Sequence, residues 1–317
     1  MTAIADGAFA ATRGITELTI PEGITSIGYV SFQECTKLTK VNFPSTLTMI
    51  GSEAFKACSK LKDILSLEHT KLREVNDDAF IDCASIDKVI LPETLVRLGW
   101  ADSRGMVFRG CNSLSKVIIK SKDLVTMGQG NFCGCPLLKT AGPIGSGCNI
   151  EYAWTDMIPK YAFSGASQYG FLSSYLEKII FTQECKTIED QAFEYCSLND
   201  LVLPPLVEHI GANAFAHNRR ITSLTIPTTV SYIGYGAFAY CSLANISIYS
   251  GQISEQKTVE NESPADKAWF WGNPTSYPAA TVHLPRSIIS VDAAREAYGY
   301  YWNFISETEY LGWVADI

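Results

Sequence analysis

The segment LTKVNFPSTLTMIGSEAFKAC, residues 38–58, contains the pattern that decides the fold. It starts with a short alternating run, Leu38-x-x-Val41-x-Phe43, whose last two apolar side chains lie on one face of a strand. Pro44 follows and ends the strand, because proline has no N–H to donate to a ladder. The remainder predicts a second short extended stretch, then a turn built around an Ala-Phe pair and a cysteine.

This pattern recurs along the chain, and it recurs at a fixed step. The steps from Phe9 to Phe32, from Phe32 to Phe55 and from Phe215 to Phe238 are 23 residues each. A short unit with Phe three residues before Cys is found at Phe32/Cys35, Phe55/Cys58, Phe80/Cys83, Phe108/Cys111, Phe132/Cys135, Phe193/Cys196 and Phe238/Cys241. Phe215 keeps the pattern with Asn218 in the cysteine position. Regular self-similarity of this length indicates a solenoid.

A single coil of this kind cannot bury its apolar side alone, so neighbouring coils must stack. Stacking places equivalent strands beside one another at the ordinary strand spacing, which predicts parallel ladders running along the array. In each unit a glycine after the second apolar stretch, such as Gly51, lets the chain bend, and the Phe of the following turn fills the interior.

The repeat resembles the BspA-like leucine-rich repeat family over nearly the whole chain. The resemblance implies a right-handed solenoid of β-rich coils with short helical turns, a concave parallel sheet and a second ladder of short strands. Members of that family are mostly bacterial surface or secreted proteins linked to adhesion and protein recognition. The first residues, MTAIAD, show neither a basic segment nor an apolar core, so no signal peptide is visible and a surface location is expected from the resemblance alone.

The composition excludes several classes of function. The 317 residues are 47% hydrophobic and 18% charged, which indicates a well-buried core rather than disorder. A net charge of −8 disfavours nucleic acid, because phosphate binding needs clustered Lys and Arg. The sequence has no apolar run long enough to span a membrane. We expect neither nucleic acid nor a membrane span, and the oligomeric state stays open.

The 23-residue step is broken in three places. Residues 99–105 form an insertion that carries Trp100, and residues 140–175 form an irregular coil rich in aromatics, among them Trp154. Extra residues in a solenoid usually form loops on one face, often the binding face. The plainer alternative for residues 140–175 is an irregular coil packed by its own aromatic side chains.

The third break is the C-terminal end. We divide the chain into repeats at 1–250 and a segment at 251–317 that holds a polar insertion, a last strand at Val282-x-Leu284 and a capping segment, all within one continuous domain. Ser290 offers an N-cap for a helix from Val291 to about Tyr298, and such a helix would cover the open end of the core. At the other end, residues 4–10 have the sequence of the second half of a coil, which suggests either a truncated array or a minimal cover.

The ten cysteines invite a disulfide or metal interpretation. Seven of them share one repeat position, which favours buried free thiols packed as small apolar side chains. Cys133 lies close to the column at Cys135 without a second Cys or His pair at metal-binding spacing. Cys148 and Cys185 lie off the column, and we expect them to be the most exposed. The sequence leaves open whether Cys133, Cys148 or Cys185 is oxidised.

No catalytic motif stands out. The four histidines are scattered, and the sequence contains neither a Gly-x-Ser-x-Gly elbow nor His-Glu-x-x-His. The glycine-rich stretch at 142–147 lacks the Lys-Ser/Thr of a phosphate loop. We therefore expect no enzymatic activity, no catalytic residues, no cofactor and no metal.

The outward positions of the first strand in each coil provide the candidate binding surface. Its middle column is aliphatic and is flanked by lysines two residues earlier on the same face. The candidate partner-binding residues are Leu65, Ile90, Ile118, Ile180 and Val202, with Lys88, Lys116 and Lys178, and with Trp100 and Trp154 from the breaks. An exposed aliphatic patch edged by charge is typical of an interaction surface. The alternative is that β-branched residues simply stack well along a ladder.

Two functions follow from these observations. The first is a recognition or adhesion scaffold that binds a protein or glycan through the concave face or the aromatic insertions. The second is a structural spacer within a longer cell-surface protein. The residues do not identify the ligand.

Overall fold

The computed structural model describes residues 2–100, 105–124, 127–165 and 173–250, together with the backbone of 281–283. These residues belong to two compact units. The first comprises Met1–Trp154 and Pro159–Leu176, and the second comprises Thr155–Ile158 and Glu177–Ile317. Each unit is built from coils with a first strand, a second strand and a turn around a phenylalanine, as the repeat predicts.

The second strands of the first unit form one parallel ladder of five two-residue strands. Their order is β1 (Ala3–Ile4), β3 (Ser26–Ile27), β5 (Met49–Ile50), β6 (Glu74–Val75) and β8 (Arg97–Leu98). The pairing keeps the repeat in register, since Ile27 lies opposite Ile50 and Ile50 lies opposite Val75. A single bridge from Leu98 to Met127 extends the ladder by one coil.

The first strands of the same unit form a less regular ladder. β2 (Glu17–Thr19) pairs with β4 (Lys40–Asn42), and a bridge joins Lys40 to Asp63. A 3-10 turn at Leu65–His69 follows where the next strand is expected, and it packs against β7 (Lys88–Leu91). The ladder continues through β9 (Lys116–Ile119), β11 (Ile150–Tyr152) and β10 (Thr140–Pro143). All these strand pairs are parallel.

The second unit repeats the scheme. Its second strands form a four-stranded parallel sheet in the order β12 (Met157–Ile158), β14 (Thr187–Ile188), β15 (His209–Ile210) and β17 (Tyr232–Ile233). Its first strands are β13 (Lys178–Ile179), β16 (Ser223–Ile226), β18 (Asn245–Ile248) and β19 (Thr281–His283). β18 pairs with both β16 and β19, so the predicted last strand at Val282 is confirmed. The predicted helix after Ser290, the polar insertion at 251–267 and residues 101–104 lie outside the described residues.

The core is a column of phenylalanine rings. In the first unit, Phe9, Phe32, Phe55, Phe80, Phe108 and Phe132 stack with interplanar angles of 2–7° and centroid separations between 5.2 and 6.2 Å. In the second unit, Phe193, Phe215 and Phe238 stack at 5.1 and 5.4 Å. Offset stacking adds to the large apolar area that these rings bury, except for Phe9 at the end of the column, which is 43% exposed. Each coil therefore contributes one ring to the column, which explains why Phe recurs once per repeat.

The turn around each phenylalanine uses left-handed backbone at two positions. Around Phe55 these are Glu53, with φ 55°, and Ala57, with φ 57°. Such conformations cost energy for residues other than glycine. Here the turn N–H groups are aligned with the next coil: Phe55 donates to the Ala79 carbonyl at 2.8 Å, and Ala57 donates to Ile81 at 2.9 Å. The turns thus form a third backbone ladder, which compensates for the strain.

Candidate functional site

The outward face of the first ladder in the first unit differs from the predicted aliphatic stripe. Leu65 is exposed and Ile118 is half-buried, as a binding surface requires, but Ile90 is only 8% exposed. Ile90 pairs with Ile118 across β7 and β9. We expected Ile180 to follow Ile118 in the column. Instead β11 inserts beside β9, and Glu151 lies opposite Ile118. A carboxylate therefore ends the aliphatic column in this unit.

Glu151 is the residue around which the irregular coil is organised. Its side chain is 10% exposed, and its Oε1 lies 2.6 Å from Nζ of Lys116. The carboxylate also accepts the main-chain N–H groups of Gly145 and Gly147, at 3.1 Å each. The Lys116 ammonium donates further to the carbonyl of Cys148 at 2.7 Å. These hydrogen bonds, with that from Lys116 first, hold the pKa of the Glu151 carboxyl below its usual value.

This arrangement explains an unusual connection. β10 and β11 are parallel neighbours, yet only residues 144–149 join them, whereas parallel strands normally need a connection of a dozen or more residues. Gly145 and Gly147 adopt φ values of 88° and 76°, which lets the chain double back so tightly. Lys116, a predicted partner-binding residue, is thus engaged in an internal ion pair.

Three aromatic residues of the irregular coil, Tyr152, Trp154 and Phe163, pack together inside the first unit. Trp154 is 4% exposed and stacks on Tyr152 at a centroid distance of 5.1 Å. Phe163 contacts both rings at about 6 Å. The plainer interpretation of residues 140–175, an aromatic-packed coil, describes this cluster, and residues 166–172 lie outside the described residues. Trp154 and Ile90, both predicted to contact a partner, have buried side chains that are not available to one.

The second unit retains exposed aliphatic side chains at the outward repeat position, one directly after β13 and one in a segment of the next coil that is not an assigned strand. Ile180 is 40% exposed, and Val202, at the equivalent position of the next coil, is 76% exposed. Lys178 beside them is exposed, and Lys88 in the first unit is half-buried. Leu206, just beyond the Pro204-Pro205 turn, is 46% exposed. These residues present apolar surface to solvent.

The insertion at residues 99–105 has a closely packed base. A Cβ added at Gly99 would lie 2.7 Å from Cα of Gly105, and one added at Gly105 would lie 2.5 Å from the carbonyl carbon of Gly128. Three glycines therefore bring the backbones into direct contact. The buried side chain of Asn131 closes the same base, since it donates to the carbonyls of Leu98 and Gly128 at 3.0 and 2.9 Å.

Trp100 projects from this base and is 46% exposed. Its backbone N–H donates to Oδ1 of Asp77 at 2.7 Å. The guanidinium of Arg97 lies over the indole ring, 3.7 Å from its centroid, and Arg97 is ion-paired with Glu74 at 3.1 Å. Trp100 is therefore an exposed aromatic side chain held by a cation–π contact, which preorganises it for binding.

The cysteine column is buried, as predicted, and six of its seven thiols donate a hydrogen bond at the same repeat position. The Sγ atoms donate to the carbonyl of the phenylalanine one coil earlier, at 3.0 to 3.4 Å; the pairs are Cys35–Phe9, Cys58–Phe32, Cys83–Phe55, Cys111–Phe80, Cys135–Phe108 and Cys241–Phe215. Burial raises the pKa of Cys135 and of Cys241 to about 12, so both stay protonated donors.

The prediction that Cys148 and Cys185 are exposed is wrong. They are 6% and 1% exposed, and all ten cysteines are buried free thiols. Cys148 is covered because Gly142 and Ser146 of the tight 144–149 connection pack against it. Within the described ranges, no group of three or more His, Cys, Asp and Glu side chains is placed to hold a metal ion.

An aromatic column on the second unit escaped the sequence analysis. Tyr195, His217 and Tyr240 occupy the position two residues after Phe in successive coils, and their rings stack at 4.0 and 4.3 Å. Next to Tyr195, Glu194 is 7% exposed, and burial raises its pKa to about 7. Burial, together with Arg219, lowers the pKa of His217 to about 4. Listing the residues at Phe+2 would have revealed this column.

Glu151 and Asn131 were also missed, and so was the hydrogen-bonding role of Asn218. A signal existed for each: Glu151 alternates with Ile150 and Tyr152 as in a strand, and the two asparagines replace Ala/Ser and Cys at fixed repeat positions. In the part of the chain that is described, no helix is long and apolar enough to cross a bilayer.

Comparison with known proteins identifies the repeat. The family described as BspA type leucine rich repeat region matches in six copies, over residues 2–139, 104–168 and 152–261. No curated protein matches the chain. The crystal structure of the pneumococcal vaccine antigen PcpA is similar with a TM-score of 0.51 and 18% identity, covering 100% of this chain and 85% of that one. This likeness supports the fold.

Two further solved structures are similar in sequence. One is a leucine rich cell surface protein from Faecalibacterium prausnitzii, with 23% identity, a TM-score of 0.36, and coverage of 78% of this chain and 77% of that one. The other is a leucine rich repeat protein from T. pallidum, with 24% identity, a TM-score of 0.35, and coverage of 43% and 71%.

Proposed function

The chain belongs to the BspA type leucine-rich repeat family, and from this premise we propose that it is a non-catalytic recognition scaffold that binds a protein or glycan partner. The observation that carries the proposal is the exposure of Ile180 and Val202 at one repeat position in successive coils of the second unit. Monomeric proteins expose few contiguous aliphatic side chains unless these meet a partner.

The binding surface proposed in the second unit consists of Ile180, Val202 and Leu206, edged by Lys178. An apolar centre with a charged rim is how interfaces are organised, because the centre supplies desolvation energy and the rim supplies orientation. In the first unit, Leu65 and Ile118 form a smaller patch of the same kind, whereas Trp100, an exposed aromatic anchor, follows the second strand β8.

The family resemblance also supports a position on the cell surface or in a secreted form. Right-handed winding of the coils, a helical cap after residue 290 and a single continuous domain belong to the same proposal. Each follows from how repeat arrays of this kind protect their ends and bury a common core.

The runner-up function is a structural spacer in a longer surface protein. The observation that favours it is the uninterrupted ring column of the first unit, from Phe9 to Phe132, which together with the backbone ladders makes a stiff rod. A rod of this kind can hold another domain away from a surface without binding anything through its own faces.

A capture experiment with variants separates the two functions. The immobilised chain is exposed to extracellular proteins and to a glycan array, and the Kd of each identified partner is measured for the Ile180→Thr/Val202→Thr variant. The recognition proposal expects the Kd of a partner bound through this surface to be at least ten-fold higher for this variant. Leu137→Thr is the matched control, because Leu137 is an equally exposed aliphatic residue outside the first strands.

Two results would contradict recognition through this face. In one, no partner binds with saturation, as expected of a pure spacer. In the other, every partner that binds, protein or glycan, has the same affinity for the Ile180→Thr/Val202→Thr variant as for the wild type.

A further inference from the structure

A second face of the first unit carries two exposed aromatic residues at one repeat position. Tyr29 is 50% exposed and Trp100 is 46% exposed. Each is the second residue after the last apolar side chain of its second strand, β3 for Tyr29 and β8 for Trp100. Between them in the same column are Ser52 and Asp77. The two aromatics are thus three coil steps apart, about 14 Å at the strand spacing.

The backbone at both positions is anchored in the same way. The N–H of Tyr29 donates to Oδ1 of Asp6 at 2.7 Å, and the N–H of Trp100 donates to Oδ1 of Asp77 at 2.7 Å. Each aspartate occupies the equivalent position one coil earlier. The N–H of each aromatic residue is therefore held by the same kind of hydrogen bond at the same repeat position, although Gly99, which precedes Trp100, has a φ of 71° at the start of the insertion.

The surface beside this column is polar rather than aliphatic. The outward residues of the second strands are Ser26, Met49, Glu74 and Arg97, all half-buried. Glu74 and Arg97 form an ion pair at 3.1 Å, and Arg97 also lies against the Trp100 ring. Only Met49 is apolar, so the face lacks the contiguous apolar centre that a protein interface shows.

We propose that this face binds a linear neutral polysaccharide, with Tyr29 and Trp100 as its two stacking platforms. A sugar ring has an apolar C–H face that packs on an aromatic ring. Its hydroxyl groups form hydrogen bonds with polar side chains. Glu74, Arg97 and Ser52 supply such groups between the platforms. A polymer with a regular repeat suits a surface whose own features recur at a fixed coil spacing. The inference rests on the proposed recognition function and assigns it a second face.

Affinity electrophoresis of the full chain tests this, with linear β-glucan, galactomannan and xylan each in the gel. We expect retardation by at least one of them. Trp100→Ala and Tyr29→Ala should each raise its Kd at least ten-fold, while Trp100→Phe keeps most of the affinity. Tyr175→Ala is the matched control, because Tyr175 is an equally exposed aromatic outside this column. Thermal denaturation checks that each variant is folded.

A second readout is chain length. Affinity for oligosaccharides of the retained glycan should rise with length until one molecule reaches both rings, and then level off. Tyr29→Ala should abolish this gain while binding of short oligosaccharides at Trp100 persists.

Three outcomes would overturn the inference. The first is that none of the three polysaccharides retards the chain, and the second is that both aromatic variants bind the glycan with wild-type affinity. The third is that Trp100→Ala loses a protein partner while no glycan binding is detected. The Ile180→Thr/Val202→Thr variant separates this inference from the proposed function. It should leave glycan retardation unchanged, and if glycan binding fails while partner capture still depends on Ile180 and Val202, only the inference falls.

Discussion

The side-chain nitrogen Nδ2 of Asn218 lies 2.8 Å from the main-chain oxygen of Phe193, one coil earlier in the second unit. Six cysteines of the column make the same contact through sulfur. The repeat position thus requires a small donor to a buried carbonyl, and Asn218 meets it more strongly than a thiol because an amide is the better donor. Asn218 also donates to the Phe215 carbonyl at 2.8 Å and accepts from the N–H of Leu198 at 3.1 Å.

We expect Asn218→Leu to be far more destabilising than Asn218→Cys. The leucine would remove the two hydrogen bonds from Asn218 to the Phe193 and Phe215 carbonyls and the one from the Leu198 N–H, at a cost of about 2–4 kcal/mol in the free energy of unfolding, whereas the cysteine restores one donor at a cost of about 1 kcal/mol. Urea unfolding of the two variants measures the difference. Equal losses would show that packing alone, and not hydrogen bonding, selects the residue at this position.

The ion pair between Lys116 and Glu151 should stabilise the irregular coil. Lys116→Met would leave a carboxylate that is 10% exposed without its cation, and we expect a loss of about 1–3 kcal/mol and faster proteolysis within residues 144–149. The control is Lys40→Met, because Lys40 and Asp63 form a pair at 3.4 Å with side chains 41% and 43% exposed, and such pairs contribute less than about 1 kcal/mol.

The same pair predicts a pH effect with a definite sign. The pKa of Glu151 is lower in the folded chain, so its stabilisation is complete above the ordinary carboxyl pKa and is lost as the pH falls through the folded value. The difference in unfolding free energy between the wild type and Glu151→Gln should therefore shrink on acidification. A difference that grows as the pH falls would contradict this assignment.

The glycines at the base of the Trp100 insertion should be intolerant of substitution. Gly105 has a φ of 58°, and an added Cβ would lie 2.5 Å from the Gly128 carbonyl carbon, so Gly105→Ala must displace backbone. We expect a loss above about 3 kcal/mol. Gly14→Ala is the control, since nothing lies within 4 Å of a Cβ there and the alanine should be neutral or slightly stabilising. Thermal denaturation compares the two variants.

Much of the fold was predictable because its signals are local and periodic. The alternation of Val41 and Phe43, the proline after them and the recurrent phenylalanine each report one coil, and stacking follows from the need to bury them. The predicted core residues Leu38, Leu47 and Ile50 are fully buried. The last strand was also found, because Val282-x-Leu284-Pro285 repeats the same motif.

The candidate surface was harder to predict, because it depends on which strands become neighbours. After Phe132 the 23-residue step fails, and the sequence does not reveal that β11 inserts next to β9. Glu151 therefore took the place given to an aliphatic residue, and Lys116 acquired an internal partner. Ile90 was assigned to the surface from its alternation alone. Its burial depends on the packing of the Leu65–His69 turn against β7, which the sequence pattern does not specify.

Glu194 and His217 should make opposite contributions to the pH dependence of stability. Burial raises the pKa of Glu194 from 4.5 to about 7, so the folded chain holds a proton that the unfolded chain has released, and stability falls as the pH rises across this window. The pKa of His217 is lowered from 6.5 to about 4, so stability is lost as the pH falls from 6.5 to 4. In the wild type the two effects overlap and largely offset each other.

Single substitutions should therefore give opposite slopes to the dependence of the unfolding free energy on pH. Glu194→Gln removes the buried carboxyl. We expect its free energy of unfolding to exceed that of the wild type by up to about 3 kcal/mol at pH 8 and by little at pH 4.5, so that it rises with pH. His217→Phe keeps a ring between Tyr195 and Tyr240 and leaves only Glu194 titrating, so its profile should fall between pH 4.5 and 7. Urea unfolding at pH values from 4.5 to 8 measures all three profiles, with the double variant as the flat control. Parallel slopes in the two single variants would show that neither group titrates as its burial implies.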